Sequence, residues 1–268
     1  MNIETLIFLI PLPPLLAFSV IIFLPGQRRA LSHWLAVIAV ALSWLAAMTV
    51  FITAIGRPNL ATAPLSLQIN WLPMADQVFK TGVLIDPLSA VVLFFVAWTI
   101  LMIFIYSIAY HNYGAPVGPE DKPGLPPQGA EVGHAGHTHR VPSVEPLYTR
   151  FFAFASLFAF GMLALVVTDN LLVLYMAWEI MGLCSYLLIG FWFARPSARD
   201  AAIKAFLTTR IGDMFMLLGM AALYSLTGSL NYQQILGNVQ VLEKLSTTAS
   251  PLAGLSWSAL IGLLIFAG

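Results

Sequence analysis

DNLLVLYMAWEIMGLCSYLLIGFWFARPSARDAAIKAFLTTRIGDMFMLLGMAALY, residues 169–224, decides the fold. It reads as two apolar helices joined by a short polar turn, and the pair carries Glu179, Lys204, Arg210 and Asp213. Taking residues 170–190 as one helix sets Glu179 roughly 13 Å along it at ~1.5 Å per residue, near the middle of a ~30 Å hydrocarbon layer. An ionisable side chain at that depth faces protein or a hydrated path and marks function by default, with a partner to be found. Its duller reading is a structurally paired carboxylate. Arg210 and Asp213, three apart, share a helix face and can pair, and the bland role of such a pair is to steady its helix. Lys204 lies in the first turn of the second helix, where a lysine commonly snorkels to the headgroups. The set suits a proton relay.

Composition agrees: 59% of the 268 residues are hydrophobic and 9% are charged, outside the range of a soluble domain. Twelve basic and twelve acidic residues cancel, so no long-range field invites nucleic acid. The single cysteine, Cys184, lies in an apolar helix, which excludes an internal disulfide and favours a packing role. There is no cysteine cluster for iron and sulfur, no GxGxxG and no histidine pair on a helix for haem, so no redox centre is expected in this chain.

The fold expected is all-α, a polytopic transmembrane helix bundle with six full spans and a truncated seventh. The spans fall at about 5–24, 32–55, 87–110, 151–168, 170–190, 201–226 and, incomplete, 255–268. The first has no basic region before it and no small-residue cleavage site after it, so it reads as a retained helix, bent at Pro11, Pro13 and Pro14. Residues 63–72 suit a short hairpin or a surface-lying segment. Asp86 followed by Pro87 is a start signal for the third span. Only Asp169 and Asn170 separate the fourth and fifth, which must form an antiparallel hairpin. Ser197 and Asp200 have the spacing of a capping box for the sixth. The polar stretch 229–250 suggests one short amphipathic helix at about 233–245. Fourteen residues of a seventh span cover about 21 Å, too little to cross, so the remainder of the helix is expected C-terminal to Gly268 or from another chain.

Residues 111–150 change abruptly to proline, glycine, histidine and charge, and read as a loop insertion. Within it, His134, His137 and His139 offer imidazole nitrogens to a transition metal, but the glycine-rich flanks and missing fourth ligand favour a solvated loop. Arg28, Arg29, Lys122, Arg140, Arg150, Arg195, Arg199 and Lys204 fall on one side of the bundle, against Arg57, Lys80 and Lys244 on the other. Eight against three makes the first side cytoplasmic and the N-terminus external.

The string WEIMGLCSYLLIGFWF followed by AAIKAFLTTRIGD resembles the core signature of the antiporter-like L subunits (chain 5) of proton-pumping NADH:quinone oxidoreductase, respiratory complex I. LIDPLSA at the third span and RFFAFASLFAFGMLALVVTDNLLVLYMAWE extend the resemblance over nearly the whole chain outside residues 111–146. It implies the N-terminal portion of an inverted-repeat subunit in a bacterial inner membrane, with Glu179 as one half of a Glu/Lys pair in the proton channel. Arg210 and Asp213 match the TRxGD residues held to pass the electrostatic signal along the membrane arm. The lysine half of the pair belongs to the seventh helix, beyond Gly268.

The function implied is proton translocation coupled to quinone reduction. Moving a cation toward or away from Glu179 makes the carboxylate release or take up a proton. NADH, FMN, iron–sulfur clusters and quinone are then expected in partner subunits, and other membrane-arm subunits and the lipid bilayer are the partners of this chain. The alternatives are a subunit of a multi-subunit sodium/proton antiporter, distinguished by sodium-dependent exchange without a redox donor, and a truncated non-pumping scaffold.

Overall fold

The computed structural model describes residues 2–74, 77–134, 137–248, 250 and 254–268, apart from the side chains at 72–74, 77–79, 133, 134, 137 and 138. Six helical stretches are long and apolar enough to cross a membrane: Ile3–Ile21, Arg29–Ile55, Pro87–Tyr110, Tyr148–Val167, Leu171–Ile189 and Pro196–Thr227. The first consists of α1 (Ile3–Leu9) and α2 (Leu12–Ile21), broken at residues 10 and 11. Pro11, Pro13 and Pro14 lack the N–H groups that would have bridged the break. It is followed by α3 (Arg29–Ile55), α4 (Pro87–Tyr110), α5 (Tyr148–Val167), α6 (Leu171–Ile189) and α7 (Pro196–Thr227).

The helix boundaries have local causes. Asp86 caps α4 in a reciprocal box, with Oδ1 accepting from Ser89 N at 2.7 Å and Ser89 Oγ accepting from Asp86 N at 2.8 Å. Asn170 Oδ1 accepts from Val173 N at 2.9 Å to start α6. The capping box expected at Ser197 does not form, because Pro196 already has the backbone angle of a first helical residue and starts α7 two residues earlier, with Arg195 at the cap position. The sixth span therefore begins at Pro196, not at 201. At its other end Gly228 takes the left-handed conformation, φ 71°, and its N–H returns to Tyr224 O at 2.7 Å.

Both sheets are two-stranded hairpins. Strands β1 (Leu65–Met74) and β2 (Gln77–Ile85) pair antiparallel, so residues 63–72 are not a hairpin by themselves but supply most of one strand of a longer hairpin. Strands β3 (Ala130–His134) and β4 (His137–Val141) pair within the 111–147 insertion, which is thus more ordered than its composition suggests. Asp121 holds it: its carboxylate accepts from Gly118 N at 3.0 Å and from Gln128 N at 2.7 Å. The polar stretch after α7 forms two short helices, not one: α8 (Tyr232–Leu236) and α9 (Val239–Thr247). The break falls at Gly237, where Asn238 caps the second helix by accepting from Gln240 N at 3.1 Å. The last helix, α10 (Trp257–Ala267), starts two residues later than expected because Ser256 is its cap.

The buried apolar residues form two clusters. One joins α1–α5 and the β1–β2 hairpin around Ile7, Leu93, Phe152 and Leu163; the other joins α7–α10 around Met216, Met220, Leu223 and Ile261. Leu171, Leu172 and Leu174 of α6 pack on the second cluster. Between helices, close approach needs a missing Cβ at positions that include two glycines of the bundle. A Cβ on Gly161 of α5 would lie 2.9 Å from Met181 Cγ of α6, and one on Gly219 of α7 would lie 3.0 Å from Leu264 Cβ of α10.

Candidate functional site

Two helices build the site. Glu179 is the ninth residue of α6, and Arg210 and Asp213 lie one turn apart in the middle of α7. α6 and α7 pack together, and Arg210 Nη1 is ion-paired with Glu179 Oε2 across the interface. The same Nη1 lies 3.3 Å from Asp213 Oδ2. One guanidinium therefore serves two carboxylates on different helices.

The carboxylates have unequal surroundings. Asp213 is 6% exposed in its side chain and accepts a second bond, from Trp178 Nε1 at 2.9 Å. Glu179 and Arg210 are about a quarter exposed, 26% and 27%. Below Arg210 lies the Phe206 ring, 4.5 Å from Cζ to centroid, which in turn packs on Tyr186 with centroids 5.2 Å apart. Gly182 lies against the arginine: a Cβ there would sit 3.7 Å from Nη2, an ordinary van der Waals contact. Beside these groups a cleft of about 210 Å³ reaches Asp213, with Ser185, Tyr186 and Thr209 supplying hydroxyls along its wall. The rest of its wall is mainly apolar, with Phe158, Met162, Met181 and Phe206 facing these few polar groups.

Lys204 stands apart. It is the ninth residue of α7, in its third turn and not its first because the helix starts at Pro196; it is exposed, six residues before Arg210, and does not join the ion pairs. Trp178 and Phe206 were missed by sequence reasoning. Phe206 had a signal, being four residues before Arg210 on one helix face; Trp178 had only its position next to Glu179. As for the histidines, the side chains of His134 and His137 lie outside the described residues, while His139 is exposed on β4 opposite Val132. Among the described residues no three His, Cys, Asp or Glu side chains converge on one metal position.

Two other clusters of titratable groups flank the site. At the α5–α6 turn Asp169 is fully buried. Its Oδ1 accepts from Gly82 N at 2.7 Å and Asn170 Nδ2 at 3.2 Å, and its Oδ2 accepts from Asn231 Nδ2 at 2.7 Å. Burial pushes its carboxyl above the usual range, against these donors. At the opposite end of the bundle His111 caps α4, 5% exposed, with Nε2 lacking a hydrogen-bond partner among the described residues and burial pushing its pKa down to about 4. Nearby Glu145, also buried, accepts from Trp192 Nε1 at 3.1 Å and Leu147 N at 3.2 Å, and burial raises its carboxyl against those bonds.

Residues 168–267 match the family model described as NADH:quinone oxidoreductase/Mrp antiporter, transmembrane. The chain is antiporter-like. It is 37% identical over 188 residues to the chloroplastic NAD(P)H-quinone oxidoreductase subunit 5 of Zygnema circumcarinatum, covering 70% of this chain and 22% of the relative. With the F(420)H(2) dehydrogenase subunit L of Methanosarcina mazei it shares 37% over 222 residues, covering 83% and 27%. This antiporter-like chain thus spans about a quarter of the length of the curated relatives it matches. A chain of the membrane-bound sulfane sulfur reductase, an archaeal respiratory membrane complex, has the same fold with TM-score 0.58 and 18% identity, covering 97% of this chain and 32% of that one.

Proposed function

We propose that this antiporter-like chain is part of a proton-translocating membrane subunit of a respiratory quinone oxidoreductase, with Glu179, Arg210 and Asp213 as its protonation relay. The observation that carries the reading is the sharing of Arg210 between Glu179 on α6 and Asp213 on α7. A guanidinium cannot neutralise both carboxylates equally in a poorly hydrated site. When Arg210 leans toward Asp213, already held by Trp178, Glu179 loses its counter-charge and takes a proton from water. When Arg210 returns, Glu179 gives that proton up on the other side. Arg210 stays protonated throughout, so the proton balance rests on Glu179. The bias on Arg210 is supplied by quinone reduction in partner subunits, which carry the NADH, FMN, iron–sulfur and quinone chemistry. Lys204, exposed on α7, adds to the basic side of the subunit, which faces the cytoplasm with the N-terminus external in a bacterial inner membrane.

In the assembled complex, Glu179→Gln is expected to lower donor-driven proton pumping by about tenfold or more while the complex stays intact on a native gel. Undiminished pumping in an intact complex removes Glu179 from the path. The matched family also includes Mrp antiporters, which favours one second reading: sodium/proton exchange without a redox donor. Vesicles with an imposed sodium gradient and no donor distinguish the two, because only the second reading predicts proton movement there.

A further inference from the structure

A second cleft, of about 210 Å³, lies where α5 begins, α6 ends and α7 begins. Its rim carries Arg150, in the first turn of α5, and Arg199, in the first turn of α7; its walls are Phe154, Tyr186, Leu187 and Phe193. Both arginines are exposed. Arg150 lies over the Phe154 ring, with Cζ 5.1 Å from its centroid, a contact made through the ring's π face that engages no carboxylate. Arg199 meets Asp200 only through Nε at 3.4 Å, with side chains 61% and 68% exposed, a weak pair.

From this placement we propose that the cleft is a binding site for an anionic phospholipid, the phosphate bridged by Arg150 and Arg199 and the acyl chains running along Phe154, Leu187 and Phe193. Charge complementarity selects the headgroup: guanidinium edges match phosphate oxygens in pairs. The depth of the site selects a lipid over a free anion. Three membrane-length helices end at its rim, which puts the two cations at headgroup level, and the walls below are apolar where a soluble phosphate would gain nothing. The space suits a phosphate and its ester, and is small for a nucleotide or flavin. Tyr186 lines both this cleft and the one beside Asp213, so an occupied lipid site abuts the ring that packs on Phe206 beneath Arg210. The proposal holds whether or not the chain moves protons.

Native mass spectrometry of the detergent-purified chain, exchanged into mixed micelles of phosphatidylglycerol or phosphatidylcholine, tests it. The wild-type chain is expected to retain phosphatidylglycerol in preference to phosphatidylcholine and to lose that preference as salt is raised. Arg150→Gln and Arg199→Gln should each lower phosphatidylglycerol retention about fivefold, with phosphatidylcholine unchanged and helix content by circular dichroism intact. Arg195→Gln removes an equal charge from the same turn but not from the cleft, and should change retention less than about twofold. Equal losses in all three variants would mean general surface attraction and overturn the site. So would full displacement of the lipid by excess inorganic phosphate, or a wild-type chain with no preference at any salt concentration, a result independent of how the variants fold.

Discussion

Asp169 and Asp213 are both buried aspartates in the same pair of helical hairpins, yet they are built to opposite ends. Asp169 is surrounded by neutral donors fixed to three separate segments: Gly82 of β2, the adjacent Asn170, and Asn231 before α8. Each donor is fixed, so the carboxylate has one arrangement and acts as a joint. Asp213 has one neutral donor, Trp178, and shares a cation with Glu179 on the neighbouring helix. A carboxylate tied by neutral N–H groups holds a fold together; one that shares an arginine with a second carboxylate has its charge balance tied to that partner, which is what the proposed relay uses.

The largest effect separating the two is expected on stability. Asp169→Ala leaves two buried donors, Gly82 N and Asn231 Nδ2, unmatched, while Asn170 Nδ2 keeps Thr81 Oγ1 at 3.2 Å, and should cost about 4 kcal/mol, read by thermal unfolding in detergent. Asp169→Asn keeps an acceptor for Gly82 and should cost less. The folded-state carboxyl is raised, so Asp169 favours folding most when protonated and this contribution declines as pH climbs from 3.8 through the raised value. Asp169→Asn cannot ionise and should flatten that decline; a parallel pH profile would show that Asp169 is not the group responsible.

His111 gives a smaller effect of opposite sign. Its pKa falls from 6.5 to about 4 in the fold. The neutral ring is favoured, and its contribution is complete above pH 6.5 and lost as pH falls toward 4. Over that interval the wild-type chain should lose about 3 kcal/mol relative to His111→Leu. Equal losses in the two would assign the acid sensitivity elsewhere. The smallest effect belongs to the shared-arginine site: Trp178→Phe removes one donor from Asp213 and should cost about 1 kcal/mol, because Arg210 remains to compensate. A loss as large as that of Asp169→Ala would make Asp213 a second joint and break the contrast.

Much of this was legible in the sequence. The apolar run lengths gave six spanning stretches, and two polar residues between runs left no alternative to the α5–α6 hairpin. The three-residue spacing of Arg210 and Asp213 put them on one helix face. Which residue of α7 meets Glu179 was not legible, because it depends on the register and crossing of two helices, and several registers bury the same apolar faces. The bond from Trp178 to Asp213 and that from Tyr148 Oη to His33 Nδ1, 3.1 Å across 115 positions, are hidden for the same reason. In the insertion, proline and glycine signalled a loop correctly in kind, but the β3–β4 pairing rests on Asp121 and on Arg140 Nε donating to Gln128 O at 3.0 Å, contacts that no local pattern announces.

The joint at Asp169 also dictates an order of assembly. Only residues 168–170 link α5 to α6, so the two must enter the bilayer together as one unit, with Asp169 at its tip. Asn231, and the Leu230 carbonyl that accepts from Leu171 N at 2.9 Å, follow α7 in the chain. A nascent polypeptide that has emerged only as far as α6 therefore exposes an incompletely satisfied acid at the hairpin tip, and the tip can close only after α7 has crossed. The joint is complete only once residues 230 and 231, which follow α7, have been made.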